Sequence, residues 1–454
     1  MKNKPITVAV HTLGCKVNQC DTDALLTKLT EAGYAVCVFS QSADIYIINT
    51  CTVTHTGDKK SMQMIRRARK QNPSAFVAVC GCMPRSQTDS IERISAAGAD
   101  FIFDTRKSED LLAKLKTLSP ACDKTDTAAI IDTTTYMPLG TKSEAQALPT
   151  TESINGRTRA FIKIQDGCDR YCSYCIVPYV RGPVTSRPLT DILEESQIHI
   201  QRGIQEIVLT GIQVAAYGYI TGSGHITLPG LIGKLASIPK RLRLSSIDPW
   251  AIDDAFLSVV AEYPTLCSHF HLSLQSGCDK TLANMNRRYT TADYANAAKK
   301  LKDLRPSMAL TTDIIVGFPG ETNDDFRESL NFAEEMGFAR IHVFEYSQRT
   351  GTPAAGLSNQ VTSQVKSSRS EEMRALAETL KQRFLHSQIG SREPVLFETK
   401  AKAPQQSPEI WQGHTDNYCM VQVQGTNLAN TIQEVCITSV TDNGLTGELI
   451  KEAT

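Results

Sequence analysis

Two long blocks of this sequence alternate short β-branched runs with helical periodicity, and that alternation restricts the fold more than any other feature. Strand–helix–strand order joins neighbouring strands in parallel, which demands sheets covered by helices. In the first block Ile6–Val10, Asp44–Ile48, Ala75–Val79 and Phe101–Phe103 read as strands, with helices predicted over 21–32, 61–70 and 89–96. A doubly wound parallel α/β domain over residues 1–118 is expected. Residues 119–155 are rich in Ser, Thr, Asp and Pro without sustained period, and read as a linker with one short strand at 128–131.

The second block, 156–388, offers six strands: Ala160–Ile164, Glu206–Leu209, Leu242–Ser245, His269–Leu274, Leu310–Val316 and Arg340–Tyr346. Six such units predict a partial (β/α)6 barrel, open on one side, with its site at the carboxyl ends of the strands. Met373, Leu376, Leu380 and Phe384 recur at helical spacing, so one trailing helix over 362–388 is expected, stopped by Gly390. The tail, 389–454, reads as a small antiparallel β-barrel with strands at Pro394–Thr399, Tyr418–Val423, Thr431–Ser439 and Gly444–Glu448. The expected fold class is therefore multidomain α/β.

Composition narrows the function classes. At 41% hydrophobic and 21% charged, wholesale disorder is excluded. No apolar run approaches the ~20 residues of a membrane helix, and no secretory leader is visible, so a cytoplasmic location is expected. Thiols stay reduced there, so the 14 cysteines are not a disulfide framework and their spacing must separate ligands from packing residues. The net charge of zero weighs against a generic polyanion binder but leaves room for local basic patches.

Cys168-Asp-Arg-Tyr-Cys172-Ser-Tyr-Cys175 is a C-x3-C-x2-C run directly after a predicted strand. Three thiolates on one short loop can hold three corners of a [4Fe–4S] cube, leaving one iron open for substrate. Structural zinc would need a fourth ligand, and none lies close in sequence. Cys15, Cys51 and Cys82 each follow a predicted strand of the first block. Ligand sites of parallel sheets lie beyond the carboxyl ends of the strands, so these three can converge into a second set. Cys80 is the rival to Cys82, but Cys80 continues the strand whereas Cys82 lies past the turn at Gly81, which favours Cys82. Cys20 and Cys37 fall inside the next helix and strand and read as packing residues. Cys122, Cys267, Cys278, Cys419 and Cys436 have no partner at a useful spacing.

The Cys168–Cys175 loop resembles the radical S-adenosylmethionine (SAM) superfamily, in which the open iron chelates SAM and one-electron reduction yields a 5′-deoxyadenosyl radical. Tyr174 matches the aromatic position that this superfamily places beside the adenine. Gly14-Cys15-Lys16-Val17-Asn18, Asn49-Thr50-Cys51 and Gly81-Cys82-Met83-Pro84 look like the N-terminal domain of the methylthiotransferases. Further matches are Leu209-Thr210-Gly211 with Tyr217-Gly218, Leu244 to Pro249, His271 to Gly277, Asp313 to Glu321 and Tyr346 to Pro353. Gly413 to Tyr418 resembles a TRAM domain, the small RNA-binding barrel of that family. Asp248 stands where the family pattern has Glu, and Cys278 where it has a small residue.

The resemblance implies insertion of a methylthio group at an unactivated C–H bond, with two SAM molecules per turnover. It implies an auxiliary [4Fe–4S] cluster on Cys15, Cys51 and Cys82 and a SAM-binding one on Cys168, Cys172 and Cys175. Gly211 lies where the family's SAM-binding turn follows the second strand; Gln275, Asp313 and Glu321, at or just beyond strand ends, are pocket candidates. Lys16-Val17-Asn18 resembles the branch acting on N6-threonylcarbamoyladenosine at position 37 of tRNA. The alternatives are the branch acting on N6-isopentenyladenosine, which carries Gln-Met-Asn there, and the branch acting on a ribosomal-protein aspartate. Implied partners are the tRNA anticodon arm, a flavodoxin- or ferredoxin-like one-electron reductant, and a sulfur donor that the residues do not identify. A reading of another class, a non-catalytic iron–sulfur sensor or RNA scaffold, needs neither two open clusters nor SAM-site glycines.

Basic residues for RNA are expected in two places. Lys59, Lys60, Arg66, Arg67, Arg69 and Lys70 form an acid-free run after Cys51, which a solvated helix face would also explain. Arg157, Arg159, Lys163, Arg170, Arg181 and Arg187 flank the Cys168–Cys175 loop. Residues 391–454 hold four Lys and Arg against eight Asp and Glu, so the tail would either contact RNA through Trp411, His414 and Tyr418 or serve in docking.

Overall fold

The protein is described here by a computed structural model covering residues 5–117, 158–218, 226–401, 409–442 and 444–450. The short strand expected at 128–131, Cys122 and Arg157 lie outside the described residues. The N-terminal elements are β1 (Thr7–Thr12), α1 (Lys16–Glu31), β2 (Ala35–Cys37), β3 (Ile45–Thr50), α2 (His55–Gln71), β4 (Phe76–Gly81), α3 (Ser90–Ala96), β5 (Phe101–Ile102) and α4 (Ser108–Thr117). The strands are all parallel in the order β2-β1-β3-β4-β5.

Period-two alternation assigns each apolar side chain to one of two helical layers. Tyr46, Ile48, Val77 and Val79 pack with Met62, Ile65 and Ala68 of α2 and Ile94 of α3. Ile45, Ile47, Ala78 and Cys80 pack with Leu25 and Leu29 of α1 and Leu111 and Leu115 of α4. Each such aliphatic side chain contributes roughly 1.5–3 kcal/mol on full burial. Two helices begin earlier than their apolar period predicts, α1 at Lys16 and α2 at His55. Their first turns are polar, and at α2 the start is fixed instead by Thr54, whose side chain accepts from Gly57 N–H.

Next come β6 (Arg159–Lys163), β7 (Gln165–Asp166), α5 (Val177–Arg181), β8 (Thr185–Ser186), α6 (Leu189–Gln201), β9 (Glu206–Thr210), α7 (Leu228–Leu235), β10 (Arg241–Leu244) and β11 (Ser246–Ile247). They are followed by α8 (Asp254–Glu262), β12 (His269–Leu272), α9 (Asp279–Asn284), α10 (Thr291–Leu304), β13 (Ala309–Val316), α11 (Asn323–Met336), β14 (Arg340–Glu345) and α12 (Ser363–His386). Parallel ladders run β10-β9-β6 and β11-β12-β13-β14. Leu242 joins them: its N–H donates to Thr265 O and its carbonyl accepts from Cys267 N–H, both at 2.8 Å. The six expected strands are thus the walls of a partial barrel. Helices α10 and α11 start with capping boxes, Thr290 with Asp293 and Thr322 with Asp325.

The tail forms a closed barrel of β15 (Arg392–Lys400), β16 (Ile410–Thr415), β17 (Met420–Gln424), β18 (Ile432–Thr441) and β19 (Gly444–Leu449), in the order β15-β16-β17-β19-β18. Its pairs are antiparallel except β17 with β19, which run parallel. Strand β16 was not among the expected strands. Gly413 interrupts its apolar alternation, although Trp411, Gly413 and Thr415 are its buried positions.

The chain divides into two compact units. The first joins Met1–Glu152 with Asp166–Val184 and Ser347–Ala355; the second holds Ser153–Gln165, Thr185–Tyr346 and Gly356–Thr454. The loop of Cys168, Cys172 and Cys175 therefore packs with the N-terminal sheet, although chain order places it among the barrel strands.

Candidate active site

In the first unit, Cys51 and Cys82 directly follow the carboxyl ends of β3 and β4, and Cys15 lies three residues past that of β1. The strand order reverses between β1 and β3, which opens a crevice there. Gly14, at φ +100°, lets the first loop enter it: a Cβ on Gly14 would lie 2.8 Å from Cys51 Cβ. Asn18 holds both loops together, donating to Leu13 O at 2.7 Å and Thr50 O at 3.0 Å. Asn49 donates back to Asn18 O at 2.9 Å. Ser61 accepts from Cys51 N–H and donates to Cys51 O, and Thr50 O accepts from Cys82 N–H.

The three thiols feel one another. Burial pushes Cys51 up, and the negative charge of Cys15 adds to that. Burial pushes Cys82 up to about 11; Arg181 pulls the other way, while Cys15 and Cys51 raise it again. Cys51 and Cys82, which resist ionisation alone, share one pocket with Cys15, and that suits a metal cluster whose positive charge would hold thiolates. Cys80, by contrast, is fully buried in the core against α1 and α4.

Arg181 is the charge buried beside Cys82 and Asn18, in a pocket that Arg85, Asp104, Arg106 and Asp166 also line. Its guanidinium is 8% exposed and donates to both oxygens of Asp166 at 2.9 and 3.0 Å, and to Asp21 at 3.3 Å. It also donates to Asn18 Oδ1. Burial opposes its charge, but Asp166, Cys82 and Asp21 together raise its pKa well above the usual arginine value. The buried Nε of Arg181 has no hydrogen-bond partner among the described residues.

The second cysteine set sits on the loop before α5. Gly167, at φ +74°, allows its entry, because a Cβ there would run into the Pro183 carbonyl. Cys168 N–H donates to Gly182 O at 3.0 Å and Cys175 N–H to Cys172 O at 2.9 Å, so the loop closes on itself. Cys172 is buried, and Cys168, Tyr174 and Cys175 are half-buried. Tyr171 and Tyr179 are exposed and meet edge to face at 5.7 Å. Ile176, at the start of α5, and Val180 on it pack against Cys82. The same unit includes Arg349, 2% exposed, which donates to Thr52 Oγ1 at 2.6 Å and Asp58 at 2.7 Å and so braces the residues after Cys51. Sequence reasoning missed the bracing by Asn18 and Arg349, both inside quoted motifs, and read Arg181 as a cation for RNA; the partners of all three lie far along the chain.

The remaining candidates belong to the second unit. Gly211 follows β9 and abuts Gln165, whose Oε1 accepts from Gln213 N–H at 2.7 Å. Gln275, at φ +76°, bridges to β13 through Asp313 O at 2.8 Å. The Asp313 side chain is 28% exposed beside His271. Glu321 is not an open pocket residue. It accepts from Gly317 N–H at 2.6 Å and pairs with Arg369 at 2.7 Å, while burial raises its pKa. Asp248 pairs with Arg287 at 2.6 Å.

Several residues expected at an RNA surface are occupied internally. Arg69 binds Gly98 O, Ala75 O and Asp100, whereas Lys59, Lys60, Arg66, Arg67 and Lys70 of α2 are exposed. Arg187 pairs with Glu195 at 2.6 Å, and Arg159 pairs with Glu398 at 2.6 Å. Tyr418 stacks with His414 at 4.8 Å and lies under Arg243 at 4.7 Å and Arg159 at 5.2 Å. Trp411 is buried. Tyr418 and His414 therefore dock the tail barrel on the partial barrel within the second unit, whereas Trp411 belongs to the tail barrel's own core.

Comparison with known proteins agrees with this geometry. Residues 7–104 match the uncharacterized protein family UPF0004, and residues 162–333 match the radical SAM superfamily. The chain is 38% identical to the threonylcarbamoyladenosine tRNA methylthiotransferase MtaB of Bacillus subtilis (strain 168), over 92% of this chain and 91% of that protein. The chain belongs to the radical SAM methylthiotransferase family. A second methylthiotransferase relative, the tRNA-2-methylthio-N(6)-dimethylallyladenosine synthase of Geobacter sulfurreducens, is 33% identical over 98% of this chain and 97% of its own. Among solved structures, the radical SAM methyltransferase TsrM of Kitasatospora setae shares the fold with a TM-score of 0.56 at 14% identity, covering 78% of this chain and 74% of that one. As a methylthiotransferase of this family the protein is an enzyme that uses SAM and two [4Fe–4S] clusters. Among the described residues, no helix is long and apolar enough to cross a membrane.

Proposed function

We propose that this enzyme places a methylthio group at C2 of N6-threonylcarbamoyladenosine beside the anticodon of tRNA, with Cys168, Cys172 and Cys175 holding the SAM-binding cluster and Cys15, Cys51 and Cys82 the auxiliary one. The observation that carries the reading is the packing of both three-cysteine sets into one compact unit, tied by α5, in a chain similar to MtaB of Bacillus subtilis over nearly its full length. Each set offers three thiols, so each cluster would keep one open iron. The bound clusters and SAM supply radical chemistry that acid–base side chains cannot perform on an aromatic C–H bond at neutral pH.

The protein's own residues orient and shield. Asn18 and Asn49 fix the loops of Cys15 and Cys51, so the thiols are positioned before any cluster arrives. Arg181 neutralises part of the charge that three thiolates would bring. Tyr174 is half-buried on the cluster loop, in keeping with a place beside the adenine of SAM. Gly211 and Gln275 are assigned to the SAM pocket at the strand ends of the second unit, whereas Asp313, a pocket candidate by sequence, faces His271 and His342 instead. The exposed cations of α2 are assigned to the tRNA backbone, and a flavodoxin- or ferredoxin-like protein to electron delivery.

Nucleoside mass spectrometry of tRNA from a deletion strain tests the substrate. The methylthio form of threonylcarbamoyladenosine disappears while methylthio-isopentenyladenosine stays unchanged; the reverse pattern would assign the enzyme to the other branch. Reduced enzyme mixed with SAM must release 5′-deoxyadenosine, and its absence would refute the radical reading.

A further inference from the structure

The inner wall of the partial barrel carries a polar cluster built from no cysteine. On β12, β13 and β14, Phe270, Leu272, Leu310, Ile314 and Ile341 belong to the hydrophobic core. The alternate positions therefore face the other way, and register sets His271 opposite Thr311 and Asp313 opposite His342. One ligand atom each from His271, Asp313 and His342 lies within 4.8 Å of the others. The rings of His271 and His342 are 5.8 Å apart.

Hydrogen bonding fixes how His271 is presented. Its Nδ1 lies 3.0 Å from Thr311 Oγ1, which also lies 3.2 Å from His269 Nε2. Thr311 has one hydroxyl proton for these two rings. When it goes to His269, Nδ1 of His271 must donate to Thr311, and Nε2 is left with a bare lone pair. That Nε2 is buried without a hydrogen-bond partner and sits 3.3 Å from Asp313 Oδ2. Two acceptors so placed repel unless a proton or a metal cation lies between them. A histidine whose second nitrogen is tied to a hydroxyl, facing a carboxylate and a second imidazole, is the donor arrangement of a two-histidine, one-carboxylate metal site.

We propose that His271, Asp313 and His342 bind one divalent first-row metal ion, with Thr311 as the outer partner that orients His271. Three protein donors leave coordination positions open for water or another oxygen ligand.

Manganese(II) is the probe, because it favours carboxylate and other oxygen donors over the thiolates of the cysteine sites. The cluster-loaded enzyme, with its clusters oxidised and EPR-silent, is titrated with manganese(II), and the loss of the free-ion EPR signal is read. One bound ion per chain is expected. His271→Ala and His342→Ala should abolish that binding, and Thr311→Val should weaken it on the order of 10–100-fold. His342 is exposed, so its replacement leaves the fold intact, and unchanged iron content verifies this in each variant. Absence of manganese binding by the unaltered enzyme, or equal binding by His342→Ala at unchanged iron content, overturns the proposal.

Discussion

The two neighbouring cysteines Cys80 and Cys82 differ in one respect that decides their chemistry. Cys80 points into an apolar layer with Leu25 and Leu111, whereas Cys82 meets the field of Arg181, Cys15 and Cys51. Cys82→Ala is expected to lose about half of the bound iron, one cluster of two, while 5′-deoxyadenosine release persists. Cys80→Ala should keep all its iron, and iron and sulfide analysis of both variants checks the assignment. Arg181 gives a second test at this scale. Removing one partner from a buried ion network costs about 3–5 kcal/mol, so Arg181→Met should lower thermal stability by that order, with Arg181→Lys recovering part of it. The position of Cys15, Cys51 and Cys82 past strand ends was legible because a parallel strand's carboxyl end is recognisable locally. Arg181 was not, since its acceptor Asn18 lies 163 residues away; counted along the chain, it looked like one more cation for RNA.

Helix α2 separates structural from surface charge on a single element. Its apolar stripe of Met62, Ile65 and Ala68 faces the sheet, and Arg69 is consumed by carbonyls and Asp100 at the helix end. Lys59, Lys60, Arg66, Arg67 and Lys70 remain exposed. Replacing Lys59, Lys60, Arg66 and Arg67 with Glu should weaken tRNA binding and flatten its dependence on salt, since fewer counterions are released. Filter-binding or anisotropy titrations at several salt concentrations read both effects. Arg69→Glu should instead lower stability with little change in salt slope. Periodicity located this helix, but only contact with Gly98 and Asp100 showed that one of its six cations is unavailable. Strand β16 escaped notice for a related reason: Gly413 fits where β15 crosses closely, and that need is visible only once the barrel closes.

At the scale of the whole molecule, the tail barrel is held by buried charge. Arg243 pairs with Glu206 at 2.7 Å and donates to Asp416 O at 3.0 Å, while Asp416 accepts from Ser268 N–H at 2.6 Å. Burial pushes Glu206 up, but Arg243 and the neighbouring Arg159 and Arg241 prevail, and its pKa falls below the ordinary 4.5. A depressed carboxylate stabilises the fold above its unfolded pKa, and this contribution is lost as pH falls through the folded value. Glu206→Gln should therefore cost about 3–5 kcal/mol near neutral pH, with the difference from the unaltered protein shrinking as pH drops below about 4.5. Thermal unfolding of both proteins across that range measures it. Strand–helix alternation and thiols placed just past strand ends are local properties, so the α/β architecture, the family and the place of these cysteines at strand ends were already present in the order of residues. Which arginines serve the interior, why the Cys168–Cys175 loop packs with the N-terminal sheet, and how His271 comes to face Asp313 and His342 depend on contacts between distant segments. Such contacts exist only after folding, because hydrogen bonding and burial act through space and not along the chain.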